Sequence, residues 1–230
     1  MQPAGRARRL RKVIPEDTRR SMKVARARGF QRIGSDRYNY PALNDLDRKM
    51  IALLPDAGVF LEIGANDGYI QSNTYHLETW RGWRGILIEP VPRLFDFCQR
   101  IRPRAQCFNV ACVADPATTE VELDDTDLTT MTIGEADGAD DRPSSGRRVV
   151  AKALTLSAVI DQSTFDSIDF MSIDVEGAEM AVLGGLDLDR HLPSYLLVET
   201  KHPERIDELL GDRMARMDQL SHHDYLWRHS

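Results

Sequence analysis

From residue 58 onward, short apolar runs alternate with segments that have helical periodicity. The runs cover Val59–Ile63, Gly85–Ile88, Phe108–Val113, Ile168–Ile173 and Tyr195–Val198. Each run is too short for a typical helix, and helical patterns intervene at Ser72–Trp80, Pro92–Ile101, Ala178–Leu183 and Pro203–Leu210. Strands that alternate with helices imply βαβ crossovers. The sequence therefore predicts an α/β fold whose mostly parallel sheet has helices on both faces and binds ligands beyond the carboxyl ends of its strands.

The charge is distributed unevenly along the chain. Residues 1–32 contain eleven lysines and arginines but only two acids, a net charge of +9, so the remaining residues carry −15 for the chain to total −6. We predict a basic N-terminal arm over residues 1–40, with a helix at Glu16–Arg28, and a single globular domain over residues 41–230. The arm is either a solvated segment or a docking element for an anionic partner.

Residues 115–146 interrupt the alternating pattern. Between Asp115 and Asp141 there are ten acidic residues and no lysine or arginine. Close carboxylates can bind a cation, but their spacing does not follow an EF-hand, which favours a solvated acidic loop. We interpret the segment as an acidic insertion or lid that includes a strand at Thr118–Leu123.

Several classes of protein are excluded. The sequence has no apolar run of the roughly 18 to 20 residues that a membrane-spanning helix needs, and no apolar run follows the basic N-terminus as in a secretory signal. The three cysteines show no paired spacing typical of metal ligands, which favours reduced thiols. We predict a cytoplasmic protein without a membrane span.

The strongest motif lies where the first apolar run enters a turn. Glu62 precedes Gly64, Asn66, Asp67 and Gly68. Glycine permits a tight turn and the close approach of a ligand, but the pattern G-x-N-x-G differs from the dinucleotide fingerprint G-x-G-x-x-G. Glu62 and Asp67 add negative charge, which suits a cationic cofactor. S-adenosylmethionine, with its sulfonium and ammonium groups, meets that requirement.

The second apolar run ends at Glu89, 25 residues after Gly64. An acid at this position can accept hydrogen bonds from ribose hydroxyls. Together, the glycine turn and this acid favour a cofactor that contains a nucleoside. The end of the third run, from Asn109 to Ala111, is either a wall beside the adenine or plain core strand.

Two further acids, Asp174 and Glu199, follow the fourth and fifth runs. If those strands are neighbours, the two carboxylates meet at the carboxyl edge of the sheet. Such oxygen ligands suit Mg²⁺, and the alternative is that each acid caps the helix that follows it. Both residues are therefore candidate catalytic and metal-binding groups.

Four stretches of the sequence resemble the FkbM-type S-adenosylmethionine-dependent methyltransferases. They are LEIGANDGYIQSNTYHLE, WRGWRGILIEPVP, NVACV and IDFMSIDVEGAEMAVLGGL. The resemblance covers residues 61–202 and implies a class I, Rossmann-like methyltransferase fold and transfer of a methyl group to a hydroxyl oxygen. By position, Asp174 and Glu199 also resemble the metal ligands of catechol-type O-methyltransferases, although Thr200 follows where that family offers another acid or amide.

The resemblance also implies roles for individual residues. It assigns the turn on the methionine side of the cofactor to Glu62, Gly64, Asn66 and Gly68, the ribose contact to Glu89, and the adenine wall to Asn109 and Ala111. Ser72 and Asn73 either reach the cofactor or cap the next helix.

A hydroxyl acceptor must lose its proton when it is methylated. Either Mg²⁺ on Asp174 and Glu199 lowers the pKa of the hydroxyl, or a base such as His202 or His76 takes the proton. We predict an O-methyltransferase that acts on a saccharide, a polysaccharide or a glycosylated natural product, and that forms a homodimer if its N-terminal helices pack across subunits.

Two other classes stay open from the sequence. The basic arm suggests an RNA methyltransferase, although the acidic domain behind it offers no basic channel. A nicotinamide-dependent oxidoreductase would also use glycines and a ribose-binding acid, but the chain lacks the G-x-G-x-x-G fingerprint.

Overall fold

A computed structural model of the protein describes residues 14–125, 130–132 and 147–230. The chain divides into two units, residues 1–40 and residues 41–230. The arginine run of the arm and most of the acidic insertion lie outside the described residues. No helix within the described part of the chain is long and apolar enough to cross a membrane.

The first unit is built around helix α1, Glu16–Arg32. It extends four residues beyond the predicted end. Acids occupy its first turn and Arg32 its last, an arrangement that complements the helix dipole. Beyond the helix, the ring of Tyr38 packs edge-on against Phe30, with the centroids 4.8 Å apart, and the guanidinium of Arg26 lies 4.0 Å from the Tyr38 centroid.

The second unit alternates strands and helices in the predicted manner. It begins with a 3₁₀ turn at Leu43–Asp45. The helices are α2 (Leu46–Ile51), α3 (Tyr75–Trp80), α4 (Pro92–Ile101), α5 (Leu156–Asp161), α6 (Glu179–Gly184) and α7 (Pro203–Leu210), the last followed by a 3₁₀ turn at Gly211–Arg213. The strands are β1 (Val59–Ile63), β2 (Arg84–Ile88), β3 (Gln106–Phe108), β4 (Ala111–Cys112), β5 (Glu120–Asp125), β6 (Thr130–Thr132), β7 (Arg148–Leu154), β8 (Phe170–Ile173), β9 (Tyr195–Glu199), β10 (Met214–Gln219) and β11 (Asp224–His229).

Seven strands form the main sheet in the order β10-β11-β9-β8-β1-β2-β3. Strands β3, β2, β1, β8 and β9 are parallel to one another, and β11 runs antiparallel to both of its neighbours. These observations confirm the predicted α/β class. Because β1 pairs with β2 on one side and β8 on the other, the strand order reverses there, and an α/β sheet binds its ligand at such a switch point.

Both faces of the sheet are buried at the central strands β1, β2, β8 and β9, which explains why these strands are continuous apolar runs. Successive side chains of a strand point to opposite faces, so Leu61 and Phe60 enter different cores. The core on one side contains residues of α5, α6 and α7, and the core on the other side contains residues of α2, α3 and α4. Helices therefore cover both faces, as predicted.

A second sheet, in the order β4-β7-β5-β6, takes β5 and β6 from the region predicted as an acidic insertion or lid, while β4 and β7 flank that region. Strand β5 begins two residues later than predicted and runs to Asp125, into the stretch that the sequence favours as loop. The expected loop residues 126–129 and 133–146 lie outside the described residues. The part of the insertion that is described is therefore an ordered sheet edge.

One predicted strand was wrong. The run Phe108–Val113 is divided between β3 and β4, which belong to different sheets. Upstream of β1, the 3₁₀ turn at Leu43–Asp45 and α2 do not form one continuous α-helix, because Asn44 and Asp45 adopt left-handed backbone angles that an α-helix does not accommodate. In the main sheet, β11 lies between β9 and β10.

Candidate active site

A pocket of about 920 Å³, including its open mouth, lies at the carboxyl ends of β1, β2 and β8. Seven of the ten predicted cofactor residues line it, and so does Asp174. The seven are Glu62, Gly64, Asn66, Ser72, Asn73, Glu89 and Ala111. Asp67, Gly68 and Asn109 are not among the lining residues.

Gly64 marks the closest approach of β1 to β8. It has a φ of +83°, and a Cβ atom there would lie 1.8 Å from the carbonyl oxygen of Asp174. Glycine is therefore required both by the backbone angle and by the neighbouring strand. Two residues later, Asn66 is also left-handed, with a φ of 51°.

Glu89 ties the two turns of the pocket together. Its Oε2 accepts a hydrogen bond from the backbone N–H of Asn66 at 2.8 Å, and its Oε1 accepts one from Val91 at 2.9 Å. A carboxylate oxygen has two lone pairs, so each oxygen can accept a further hydrogen bond. The carboxylate is buried in the pocket wall, which suits contact with ribose hydroxyls.

Glu62 does not present a free negative charge to the pocket. Its oxygens accept hydrogen bonds from the Ser72 hydroxyl at 2.8 Å, the Asn73 backbone N–H at 2.8 Å and the Thr74 hydroxyl at 2.6 Å. The guanidinium of Arg102 lies 3.8 Å from the same carboxylate. Glu62 was expected to supply charge for a cationic cofactor, whereas in the structure these donors already bind its oxygens and Arg102 divides its charge between Glu62 and Glu78.

Asp67 and Gly68 likewise serve the turn. Oδ1 of Asp67 accepts hydrogen bonds from the backbone N–H groups of Tyr69 and Ile70 at 2.9 and 2.7 Å. The side chain is completely buried. Gly68, with a φ of +78°, supplies the left-handed angle that the turn needs. Neither residue reaches the pocket, because both hold the backbone behind its wall.

Ser72 and Asn73 do more than cap a helix. The Ser72 hydroxyl accepts from the N–H of Tyr75, the first residue of α3, at 3.1 Å. Asn73 donates from Nδ2 to the Ser172 hydroxyl at 3.0 Å, while its buried Oδ1 has no hydrogen-bond partner among the described residues. An unpaired buried acceptor costs about 1 to 3 kcal/mol, so this oxygen is a natural acceptor for a ligand donor.

The predicted adenine wall is only partly in the pocket. Ala111 lines it, together with Val110. Asn109 instead donates from its side-chain amide to the carbonyl oxygens of Glu89 and Pro90, at 2.9 and 3.0 Å. Asn109 therefore fastens the end of β3 to the turn that carries Glu89.

Asp174 and Glu199 meet, as expected for neighbouring strands. Their carboxyl groups share a hydrogen bond. Burial raises the pKa of Asp174 well above its usual range, and the adjacent charge of Glu199 raises it further. Burial also raises the pKa of Glu199, although the hydrogen bond from Asp174 opposes that shift. Both shifts favour a proton held between the two carboxyl groups, and Asp174 of this pair lines the pocket.

The two candidate histidines are not brought to the pocket. His202 precedes α7, is exposed, and lies with its Nδ1 3.2 Å from the Glu204 carboxylate. His76 is buried on α3, where its ring stacks on that of Trp80. Neither lines the pocket. The structure thus gives no support to either residue as the base.

Sequence analysis missed several residues of the site. Gln71 and Glu176 line the pocket with left-handed backbones, at φ values of 63° and 54°, and Leu123 reaches it from the second sheet. Non-glycine residues with such angles are uncommon and concentrate at functional sites. Glu176 was visible as part of an acidic strand-to-helix turn, but no local signal distinguished Gln71 or Leu123.

The chain is similar to several solved methyltransferases. A methyltransferase FkbM from Methylobacillus flagellatus KT is 15% identical, with a TM-score of 0.49; the match covers 77% of this chain and 45% of that one. TrmK of M. capricolum, solved with S-adenosylhomocysteine, is 9% identical, with a TM-score of 0.43 and coverage of 79% and 65%. A TehB-like methyltransferase from Corynebacterium glutamicum ATCC 13032 Kitasato is 12% identical, with a TM-score of 0.44 and coverage of 94% and 100%.

The chain thus spans less than half the length of the Methylobacillus protein. No curated protein matches it. The seven-stranded sheet with its reversed β11, together with a pocket at the switch point, defines a class I, Rossmann-like methyltransferase. The family model for the methyltransferase FkbM domain matches residues 62–226, and the chain belongs to this family of S-adenosylmethionine-dependent methyltransferases. Membership argues against the nicotinamide-dependent alternative.

Proposed function

We propose that this protein transfers the methyl group of S-adenosylmethionine to a hydroxyl oxygen of a saccharide, a polysaccharide or a glycosylated natural product. Family membership supports the cofactor. The observation that carries the choice of oxygen is the Asp174–Glu199 pair, because Asp174 lines the pocket and a hydroxyl acceptor needs a group that can take its proton.

The residues present fit the cofactor. Glu89 and the unpaired Oδ1 of Asn73 are acceptors in the pocket wall, suited to the ribose hydroxyls and the ammonium group. The lining residues include no lysine, arginine or histidine that would repel the cation. When bound, the cofactor supplies an electrophilic methyl group, and the pocket's part is to hold the acceptor oxygen in line with it.

The proton acceptor we propose is the Asp174–Glu199 pair acting as a unit. A carboxyl group whose pKa is raised is a stronger base in its ionised form than an ordinary carboxylate. Glu199 retains the negative charge of the pair, and its raised pKa lets it accept the proton that makes both carboxyl groups neutral. Asp174 would then take the acceptor's proton as its own passes along the hydrogen bond to Glu199.

The predicted Mg²⁺ does not fit these residues as they stand. The carboxyl groups of Asp174 and Glu199 are hydrogen-bonded to each other, so a cation would have to take the place of the proton between them. The described residues contain no group of three or more acid, histidine or cysteine side chains arranged to hold a metal. The proposed mechanism therefore includes no step through Mg²⁺.

The test is an acceptor screen with labelled S-adenosylmethionine against neutral saccharides and glycosides. We expect label in a product with a methyl ether, and a rate lower by about 10²- to 10⁴-fold in Asp174→Asn. Asp161→Asn is the matched control, since it removes an exposed carboxyl that is paired with Arg190 on the surface. Transfer to nitrogen or carbon acceptors alone, or no cofactor binding by the folded protein, would contradict the proposal.

Three wider expectations remain proposals. The arm over residues 1–40 and the catalytic domain over residues 41–230 would act as separate parts, with residues 115–146 as an acidic insertion over the sheet. We expect a cytoplasmic homodimer. Sedimentation velocity of the intact chain would measure its oligomeric state, and fractionation of the source cells its location.

A further inference from the structure

A buried arginine lies behind the pocket, outside every motif that the sequence presents. Arg102 immediately follows α4 and its side chain is completely buried. Its Nε donates to Oε2 of Glu78 at 2.5 Å, and its Nη1 lies 3.8 Å from the carboxylate of Glu62. One cation thus lies between two buried carboxylates, neither of which could be left without a partner at small cost.

The other N–H groups of Arg102 hold the segment between β1 and α3. Nη1 donates to the carbonyl oxygen of Gly68 and to the Ser72 hydroxyl, each at 3.2 Å. Nη2 donates to the carbonyl oxygen and the hydroxyl of Thr74, at 3.3 and 3.0 Å. The planar guanidinium therefore donates hydrogen bonds to both ends of the segment 68–74.

Glu62 holds the same segment from the other side. It accepts hydrogen bonds from Ser72, Asn73 and Thr74. Ser72 and Asn73 line the pocket, whereas Arg102 and Thr74 do not. The pocket wall is thus held between the buried guanidinium of Arg102 on one side and the buried carboxylate of Glu62 on the other.

Gly68 leaves space for the side chain of Arg102. A Cβ atom at Gly68 would lie 3.0 Å from Cγ of Arg102 and 3.3 Å from Cα of Cys98. The second glycine of the motif is therefore required partly because the arginine side chain passes beneath it. The close approach is to the protein's own interior and not to the pocket.

We propose that Arg102 is a positioning residue for the cofactor. It holds residues 68–74 against Glu62 so that Asn73 presents its unpaired oxygen to the pocket. This inference rests on the proposed use of S-adenosylmethionine and assigns a role to a residue that touches no ligand. It predicts that cofactor affinity depends on the geometry of the guanidinium as well as on its charge.

The experiment compares Arg102→Lys with Arg104→Lys. Lysine keeps the charge but cannot reproduce the planar guanidinium. Arg104 is the matched control, because it also contacts Glu78 but its side chain is 59% exposed. By calorimetry at a temperature where all proteins are folded, we expect the Kd for S-adenosylmethionine to rise about 10- to 100-fold in Arg102→Lys, for the loss of one to two charged hydrogen bonds. We expect less than about a twofold change in Arg104→Lys. Equal affinities in the two variants would overturn the proposal.

If Arg102→Lys does not fold, Thr74→Val decides the matter. It is close in shape and removes a hydroxyl that bonds both Arg102 and Glu62. Thr74 does not line the pocket, so a weaker Kd supports positioning and an unchanged Kd overturns it.

A second measurement separates this proposal from the proposed function. Hydrogen exchange at the amides of Asn73 and Tyr75 reports the order of the segment without any ligand. If the wild type binds no S-adenosylmethionine, the proposed function fails. Faster exchange of these amides in the folded arginine variant, or in Thr74→Val, would still show that Arg102 shapes the wall, and unchanged exchange would show that it does not.

Discussion

Glu89→Gln tests whether the acid after β2 binds the ribose of the cofactor. The carboxylate already accepts the N–H groups of Asn66 and Val91. Glutamine keeps one acceptor oxygen, loses the charge and turns an NH₂ group toward one of those donors. Hydrogen bonds to charged groups contribute about 1.5 to 3 kcal/mol each. Losing one strong contact, or two weaker ones, amounts to about 3 kcal/mol, which is roughly 100-fold in Kd.

The assay is calorimetric titration with both S-adenosylmethionine and S-adenosylhomocysteine. The two share the ribose but differ in the charge on sulfur. If Glu89 acts through ribose hydroxyls, both should lose affinity by the same factor. If it acts by attracting the cationic sulfonium, the methylated form should lose much more.

The matched control is Asp169→Asn. The Asp169 carboxylate also accepts a hydrogen bond from a backbone N–H, that of Val59 at 2.7 Å. Val59 is the first residue of β1, and Asp169 does not line the pocket. We expect this variant to lose stability and keep cofactor affinity. Unchanged affinity of Glu89→Gln for S-adenosylhomocysteine would refute the ribose assignment.

Four further predictions address the turn, the pH dependence of the acid pair, the need for a metal, and the arm. Gly64→Ala should abolish cofactor binding, measured by calorimetry, because its Cβ would lie 1.8 Å from the Asp174 carbonyl oxygen. The pKa of Asp174 is raised from 3.8 by burial, so its contribution to stability is fully present only below pH 3.8 and is lost as the pH rises through the folded-state value. Asp174→Asn should remove that loss, at most about 1.4 kcal/mol per pH unit in denaturant titrations, and an equal pH dependence in both proteins would contradict the assignment. If the Asp174–Glu199 pair takes the proton without a metal, methyl transfer should continue in EDTA. A loss of activity in EDTA that added Mg²⁺ restores would support the metal site instead. Deleting residues 1–32 should leave methylation of saccharides intact, whereas loss of a steeply salt-dependent RNA affinity would favour the RNA alternative.

The strands at the centre of the sheet were accessible from sequence because burial on both faces makes them uniformly apolar. β1 was predicted at its observed bounds, and so were helices α4 and α7. Strand β10 was missed because five of its six residues are exposed. Strand β7 mixes exposed and buried residues at a sheet formed with the insertion, so its pattern is not a plain apolar run.

The acids of the site were also only partly predictable from the sequence. The positions of Glu62, Glu89 and Asp174 at strand ends follow from local pattern, and all three line the pocket. Whether each carboxylate is available to a ligand depends on its partners, which come from distant parts of the chain. Arg102 lies 3.8 Å from Glu62 although it is 40 residues away in the sequence, and nothing in the local sequence around either residue reveals that pairing.

Local patterns of apolar residues, glycines and strand-end acids were therefore sufficient for the α/β class and the general place of the pocket, and the resemblance of four sequence stretches was sufficient for the family. Those features depend on neighbours within a few residues, where periodicity and backbone angles act. The folded chain determines how Asp174 and Glu199 share a proton, why Asp67 and Asn109 serve the backbone, and how Arg102 supports the wall. Charge and hydrogen bonding in a buried site depend on which groups the fold brings within about 4 Å, and that proximity is a property of the packed structure.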